Sequence, residues 1–275
     1  KLSDLAKNIA VQIITPESFR LFFGGPKERR RFVDLGMFHV KHDFSKQWSD
    51  FNRVLKQRNA CIRSKAKKAT YSYWTELFCQ HSIIVAQSRK EYVQVLTAEL
   101  TKWLLLLLPN LAEHITVQYS QGWSQKRDLI DVLNENFERE MNFGYSLYGA
   151  QKFDVKFLIN KTSLDLELSR GQQKLFLLAL TFAQAKLIEK VNRVKPILLI
   201  DDIDAELDLN SRKLVSHAIQ KLDCQVVISA IDQAVLEPFI FLDDDTVSAE
   251  NKKYQMFHVK HGEVFVMNEH NKRAG

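Results

Sequence analysis

Apolar and polar residues alternate along this chain in three different rhythms. Up to about residue 42, a short helical stretch leads into the apolar run Ala10-Val11-Gln12-Ile13-Ile14-Thr15, which stops at Pro16 and is expected to be a strand. A helix is expected after Gly24-Gly25-Pro26, because the glycines permit a sharp turn and proline suits the first helical position. From residue 43 the period becomes helical: Phe44, Trp48, Phe51, Leu55 and Ile62 form one stripe, opposite Lys46, Arg53, Lys56 and Lys67. A second long helix is expected from about Tyr73 to Leu108, separated from the first by the basic stretch 63–70, and another near 126–140. Two long antiparallel helices would form an arm. The aromatic stripe reads as packing.

From about residue 145 the rhythm changes again. Strands are expected at 155–159, 196–200 and 225–229, alternating with helices at 172–191 and 211–222. Apolar strands separated by helices imply a parallel sheet covered on both faces. A terminal hairpin is expected around Gly262, with strands at 254–259 and 263–267.

Composition changes this picture little. Of 275 residues, 45% are hydrophobic and 26% charged, which excludes wholesale disorder and fibrous repeats. The net charge of +6 is compatible with a polyanionic partner without demanding one. The longest apolar run, from Trp103 to Leu108, stops at Pro109, far short of the roughly 20 residues of a membrane span. No leader pattern opens the chain. Cys61, Cys79 and Cys224 are scattered and lack C-x-x-C spacing, which points to a reducing, cytoplasmic setting rather than a disulfide framework or zinc site. The chain starts at Lys1, inside a helical pattern, and reads as part of a longer protein.

The chemistry concentrates in the last rhythm. Ile197-Leu198-Leu199-Ile200 is followed by Asp201-Asp202, placing carboxylates at the C-terminal edge of a buried strand, where open α/β sheets bind ligands. Asp201 could there hold Mg²⁺ on a nucleotide, and Asp202 could orient or deprotonate an attacking water. Alone, two acids after a strand are a common loop opening. However, Leu168-Ser169-Arg170-Gly171-Gln172 precedes them at the start of the long helix, with a good N-cap serine and a glycine that admits close approach. Ala205-Glu206-Leu207-Asp208 follows them.

The order of these three motifs resembles the signature motif, Walker B strand and D-loop of ABC-type ATPases, with LSRGQ in place of LSGGQ. More narrowly the chain resembles the RecF family of bacterial recombination proteins. The match is carried by Thr15-Pro16-Glu17, the run GGPKERRRFVD at 24–34, Leu55-Lys56-Gln57-Arg58-Asn59, LSRGQ and LLIDDIDAELD. That resemblance implies an α/β fold: the C-terminal part of an ABC-type P-loop ATPase core with an inserted antiparallel helical arm. Residues 1–42 would lead from the core into the arm, 43–144 would form the arm, and 145–275 would be the C-terminal half of the core.

The same resemblance implies ATP and Mg²⁺ as cofactors and an ATP-dependent homodimer, away from any membrane. Its partners would be single- and double-stranded DNA at gaps, together with RecO and RecR in loading RecA. Asp201 would serve the metal and Asp202 would be the catalytic acid. Ser169, Arg170, Gly171 and Gln172 would reach the γ-phosphate of ATP on the other subunit, and Asp208 would lie at the dimer interface. Arg29, Arg30 and Arg31, beside the glycine turn, read either as a solvated helix face or as a phosphate-contacting cluster; with a basic arm face of Arg53, Lys56, Arg58, Lys65, Lys67 and Lys68 they are the candidates for DNA contact.

The chain departs from the family in three places. No G-x-x-x-x-G-K-[ST] occurs in its 275 residues, so the phosphate loop is expected upstream. Gly149-Ala150-Gln151-Lys152-Phe153-Asp154 lacks the proline and histidine usual at that turn, and no switch histidine of the transporter type follows Ser229-Ala230-Ile231, which the family's members also lack. The first departure leaves open a non-catalytic DNA-binding or scaffold fragment. A core of another SMC-like protein is disfavoured by the shortness of the arm.

One feature lies outside all of this. Met37-Phe38-His39-Val40-Lys41-His42 recurs unchanged at 256–261, with unrelated flanks, the first copy ending a helix and the second in a strand. The codons ATG TTT CAC GTG AAA CAT encode this peptide and equal their own reverse complement. Such a palindrome suits a dimeric DNA-binding protein and closely resembles the parS site bound by ParB. Both copies are therefore expected to be DNA sites carried within the gene. Its nucleotide sequence checks this: synonymous codons that break the palindrome at both copies would sink the idea.

Overall fold

The computed structural model describes residues 9–192, 195–240 and 254–267. The short helix expected at the N-terminus lies outside them. Strand β1 (Val11–Ile14) ends at Thr15-Pro16, and helix α1 (Arg20–Phe23) runs to Gly24. Helix α2 (Pro26–Val40) begins as expected, with Pro26 in its first turn after Gly25 at φ 77°. Helices α3 (Phe44–Arg63) and α4 (Lys68–Leu107) form the hairpin expected from the helical stripe. They run antiparallel, since Ser88 Oγ donates to Gln47 Oε1 at 3.0 Å while Arg58 Nε donates to Thr75 Oγ1 at 3.2 Å. Phe44, Phe51 and Phe78 fill the seam, and the aromatic stripe is indeed core.

Helix α4 does not stop at the hairpin. Its C-terminal half lies against the later long helix Arg170–Asn192: Trp103 meets Phe182 edge-on at 5.4 Å, and Tyr92 Oη accepts from Gln184 Nε2 at 2.9 Å. Gly36 of α2 permits the close crossing there, because a Cβ would sit 2.0 Å from Tyr92 Oη and 2.2 Å from Gln184 Nε2. One apolar core thus runs from Ile14 through Phe51 and Leu100 to Leu222.

Strand β2 (Ile115–Ser120) was not expected. It is followed by α5 (Leu129–Glu135) and α6 (Phe137–Phe143), two short helices where one was expected. β2 pairs antiparallel with β3 (Asp154–Ile159), which pairs antiparallel with β4 (Thr162–Ser163). The 155–159 strand therefore does not belong to the parallel sheet. Asn160 and Lys161, at φ 49° and 72°, make the tight turn that sends the chain straight back, so no helical crossover separates β3 from its neighbour.

After α7 (Leu164–Glu167), helix α8 (Arg170–Asn192) leads to β5 (Ile197–Ile200), α9 (Leu209–Ile219), β6 (Gln225–Ile228) and α10 (Glu237–Ile240). The parallel sheet has the order β1-β5-β6 with Ile14, Ile200 and Ile228 in register. Its Ile14–Leu198–Ile200 face packs on the core. Among the described residues the opposite face is not covered, since Ile13 and Val227 are exposed. This corrects the expectation of cover on both sides.

Strands β7 (Met256–Lys260) and β8 (Glu263–Met267) form the expected hairpin around Gly262. The repeated hexapeptide thus adopts both predicted conformations. In α2 its Met37 is fully buried and His39 half-buried, whereas in β7 Met256 is half-buried and His258 exposed. No shared packing demands their identity. The three cysteines are free, and burial pushes the Cys79 and Cys224 thiols up to about 11.

Arg89 of α4 joins α2 to the 149–153 turn. Its Nε and Nη2 donate to the Asp34 carboxylate at 2.9 and 3.0 Å, and its Nη1 to the Ala150 carbonyl at 2.6 Å. The guanidinium also lies 3.7 Å from the Phe153 ring centroid. Burial holds Asp34 above the ordinary carboxylate range, against the lowering pull of Arg89 and Arg30. Arg89→Met removes most of that pull, so the native state then binds a proton still more tightly than the unfolded chain. Stability must fall as pH rises from the unfolded pKa through the raised native one. The variant is expected to lose about 2 kcal/mol at pH 7, and the deficit should shrink towards pH 4. Urea midpoints at both pH values check this.

Candidate functional site

The motifs of the last rhythm meet at the C-terminal edge of β5. Ser169 caps α8: Gln172 N donates to Ser169 Oγ at 3.3 Å and Ser169 N to Gln172 Oε1 at 3.0 Å, a reciprocal capping box. Gly171 then faces the 202–206 turn. A Cβ there would lie 2.7 Å from the Glu206 carbonyl oxygen, so only glycine lets the two segments touch. Lys174, one turn further, is 4% exposed and donates from Nζ to the carbonyls of Asp202 at 2.5 Å and Ala205 at 2.7 Å. Burial lowers its pKa, opposed by the nearby charges of Asp202, Glu206, Asp204 and Asp201. A single cation therefore pins the acidic turn to the signature helix.

Asp201 and Asp202 emerge as expected from the end of β5. The Asp201 amide donates to the Ile14 carbonyl at 2.8 Å, continuing the ladder, and its carboxylate stands exposed. Ser229, just past β6, donates from Oγ to Asp201 Oδ1 at 2.5 Å and accepts from the Asp202 amide at 2.9 Å. Asp202 takes a left-handed φ of 55°, which turns the chain sharply away from the strand. Ser229 was absent from the sequence-based candidates. Only its place at the end of the neighbouring parallel strand signals it.

Beside these groups lies a cleft of about 400 Å³, lined among others by Thr15, Pro16, Glu17, Arg170, Lys174 and Asp202. Arg170 guards its rim with its guanidinium 5.3 Å from the Phe19 ring and 5.7 Å from the Phe23 ring. Asp208 caps α9 by accepting from the Ser211 amide at 2.7 Å, and that bond holds its carboxyl below the usual range. No group of three or more metal-ligating side chains is assembled among the described residues. None of the described helices is long and apolar enough to cross a membrane.

The three arginines of α2 are not equivalent. Arg29 forms a two-point pair with Asp154, at 2.9 Å from both Nε and Nη2, and is engaged within the chain. Arg30 donates to the Phe153 carbonyl at 3.1 Å, and Arg31 is exposed. Arg58, read as part of a basic arm face, is fully buried, which removes it from any such face.

A parallel sheet whose strand-end carboxylate pair packs against the capped start of the preceding long helix is the arrangement of an ABC-type ATPase core. The model of the RecF/RecN/SMC N-terminal domain matches residues 3–256. A relative from Colwellia psychrerythraea, "DNA replication and repair protein RecF", is 67% identical over 98% of this chain and 72% of its own length. A second of the same name, from Pseudoalteromonas translucida, is 37% identical over 96% of this chain and 71% of its own length. The chain belongs to the RecF family. The solved structure of the recombination mediator protein RecF-ATPrS shares the fold, with TM-score 0.76 and 18% identity over 98% of this chain and 70% of that one.

Proposed function

We propose that this chain is the larger part of an ATP-dependent DNA-binding protein that acts as a dimer at single-strand gaps. There it would help RecO and RecR load RecA. The observation that carries the reading is the junction of the Ser169–Lys174 turn with the Asp201–Asp208 loop, fixed by Gly171 against Glu206 and by Lys174 on two carbonyls. Such a junction makes a nucleotide-sensing element and a hydrolytic carboxylate pair move together.

The donor set fits a hard cation on a nucleotide. Asp201 offers an exposed carboxylate with one oxygen oriented by Ser229 and the other without a hydrogen-bond donor among the described residues. Mg²⁺ accepts one or two such carboxylates together with phosphates and waters, and when bound it neutralises charge on the phosphates. Asp202 would orient the attacking water. Ser169 Oγ and the first amides of α8 would approach the γ-phosphate of the nucleotide on the second subunit, with Arg170 adding charge on leaving Phe19 and Phe23. Asp208 would face the partner. Arg31, and Arg30 more weakly, would meet DNA phosphates.

The full-length protein is expected to dimerise and to bind gapped DNA more tightly with ATP than with ADP. Analytical ultracentrifugation and fluorescence anisotropy measure both. A second reading, a non-catalytic DNA-binding scaffold, is favoured by the lack of a Walker A spacing within these 275 residues. DNA binding with no response to ATP would establish that reading and overturn the first.

A further inference from the structure

The nucleotide edge leaves unused a surface at the far end of the α3–α4 hairpin. Cys61, Ile62 and Tyr71 form a small separate apolar cluster there, with Trp74, Phe137 and Met141 packed against it. Around it, Arg63, Lys65, Lys67 and Lys68 are exposed, and none of them joins an ion pair among the described residues. Two aromatic rings stand beside these cations: Phe143 is 54% exposed and Tyr145 41%, their centroids 6.0 Å apart at 62°.

Each ring already carries a cation. The Arg139 guanidinium is 5.9 Å from the Phe143 centroid, and Lys152 Nζ is 5.1 Å from that of Tyr145. Gly144, between the rings, has φ 77°, and a Cβ there would lie 3.6 Å from Arg63 Cγ. The hairpin's basic turn and the aromatic pair are therefore one surface.

Cations alone would suit any polyanion. Exposed rings interleaved with cations are more selective, because unpaired bases present π-faces for stacking while the phosphates meet the charges. Bases inside a duplex are already stacked and cannot reach the rings, and an acidic protein would use the cations without needing the rings. We infer that this surface binds single-stranded DNA, with bases stacked on Phe143 and Tyr145 and phosphates held by Arg63, Arg139 and Lys152.

The inference rests on the DNA-binding reading above, and one experiment separates the two. Phe143→Ala/Tyr145→Ala and the parent protein are titrated, at fixed salt and with ATP, against labelled oligothymidylate and against a duplex of equal length. Stacking on an aromatic side chain contributes about 1–3 kcal/mol per base, so the variant should bind oligothymidylate at least about tenfold more weakly. Duplex affinity should stay within about twofold. Both rings are exposed, so the variant's melting curve should match the parent's.

Unchanged oligothymidylate affinity would overturn the inference, as would an equal loss on both ligands. Parent protein that binds duplex but no single strand overturns the inference and leaves the proposed function standing. Parent protein that binds neither overturns both. Displacement of oligothymidylate by polyglutamate as effective as by unlabelled oligothymidylate would assign the surface to an acidic protein instead, again overturning it.

Discussion

Asp201→Asn in the full-length protein is expected to abolish ATP hydrolysis while leaving the fold intact. The side chain is exposed, and its one hydrogen bond among the described residues comes from Ser229 Oγ to an oxygen that asparagine retains. The change therefore removes a charge without opening a cavity. A carboxylate that places a metal on the transferred phosphate contributes several kcal/mol to the transition state, and each 1.36 kcal/mol is tenfold in rate. Turnover should fall by about a hundredfold or more, whereas thermal unfolding should be unchanged. Steady-state phosphate release measures the first and calorimetry the second. Turnover equal to the parent's would refute the assignment of Asp201 to the Walker B position.

The largest effect on stability is expected at Arg58. Its guanidinium donates to Thr75 Oγ1 at 3.2 Å, Ser146 Oγ at 2.6 Å, Tyr71 Oη at 2.7 Å and Glu140 Oε2 at 2.6 Å. It also lies 5.1 Å from the Phe78 ring and 5.3 Å from that of Tyr71. Both partners of the Arg58–Glu140 pair are wholly buried, and the other Glu140 oxygen accepts from the Leu147 amide at 2.8 Å. Arg58→Met strands a carboxylate in the seam of the hairpin, and breaking such a pair costs about 3–5 kcal/mol. Adding Glu140→Leu should restore much of the loss, because a buried pair replaced by apolar residues is often neutral. Chemical denaturation of the single and double variants measures both. Equal stability of Arg58→Met and the parent would contradict the buried-pair account.

The sequence made some features legible because their signals are local. The helical stripe from Phe44 to Ile62, the proline at the start of α2 and the four apolar residues before Asp201 each act within a turn or two. What it hid depends on distant partners. Arg58 looks like one more cation on a basic helix, and nothing near it announces Glu140, 82 positions away. Arg29 likewise meets Asp154 across 125 positions.

β2 carries a clear alternating pattern, Ile115-Thr116-Val117-Gln118-Tyr119-Ser120, yet lies between two expected helices within the 43–144 span that the resemblance assigns to a helical arm. The pattern of β3 marks a strand but not its sheet, because a strand's own residues do not state its neighbour. Of the site, the positions of Asp201, Asp202 and the signature turn were readable. The roles of Lys174, Ser229 and the Gly171–Glu206 approach emerged only from the assembled edge.

Helix α4 gives the molecule a lever. It is a single 40-residue element, about 60 Å long, with one end beside the basic turn and the other clamped to the signature helix through Trp103 and Phe182. If the proposed second subunit turned α8 by about 5°, the distant end, carried through that clamp, would sweep by about 5 Å, close to the pitch of one helical turn. On the proposed function, events at the phosphate would thereby be amplified into displacement at the hairpin's far end, with the stiffness of one uninterrupted helix as the gear ratio.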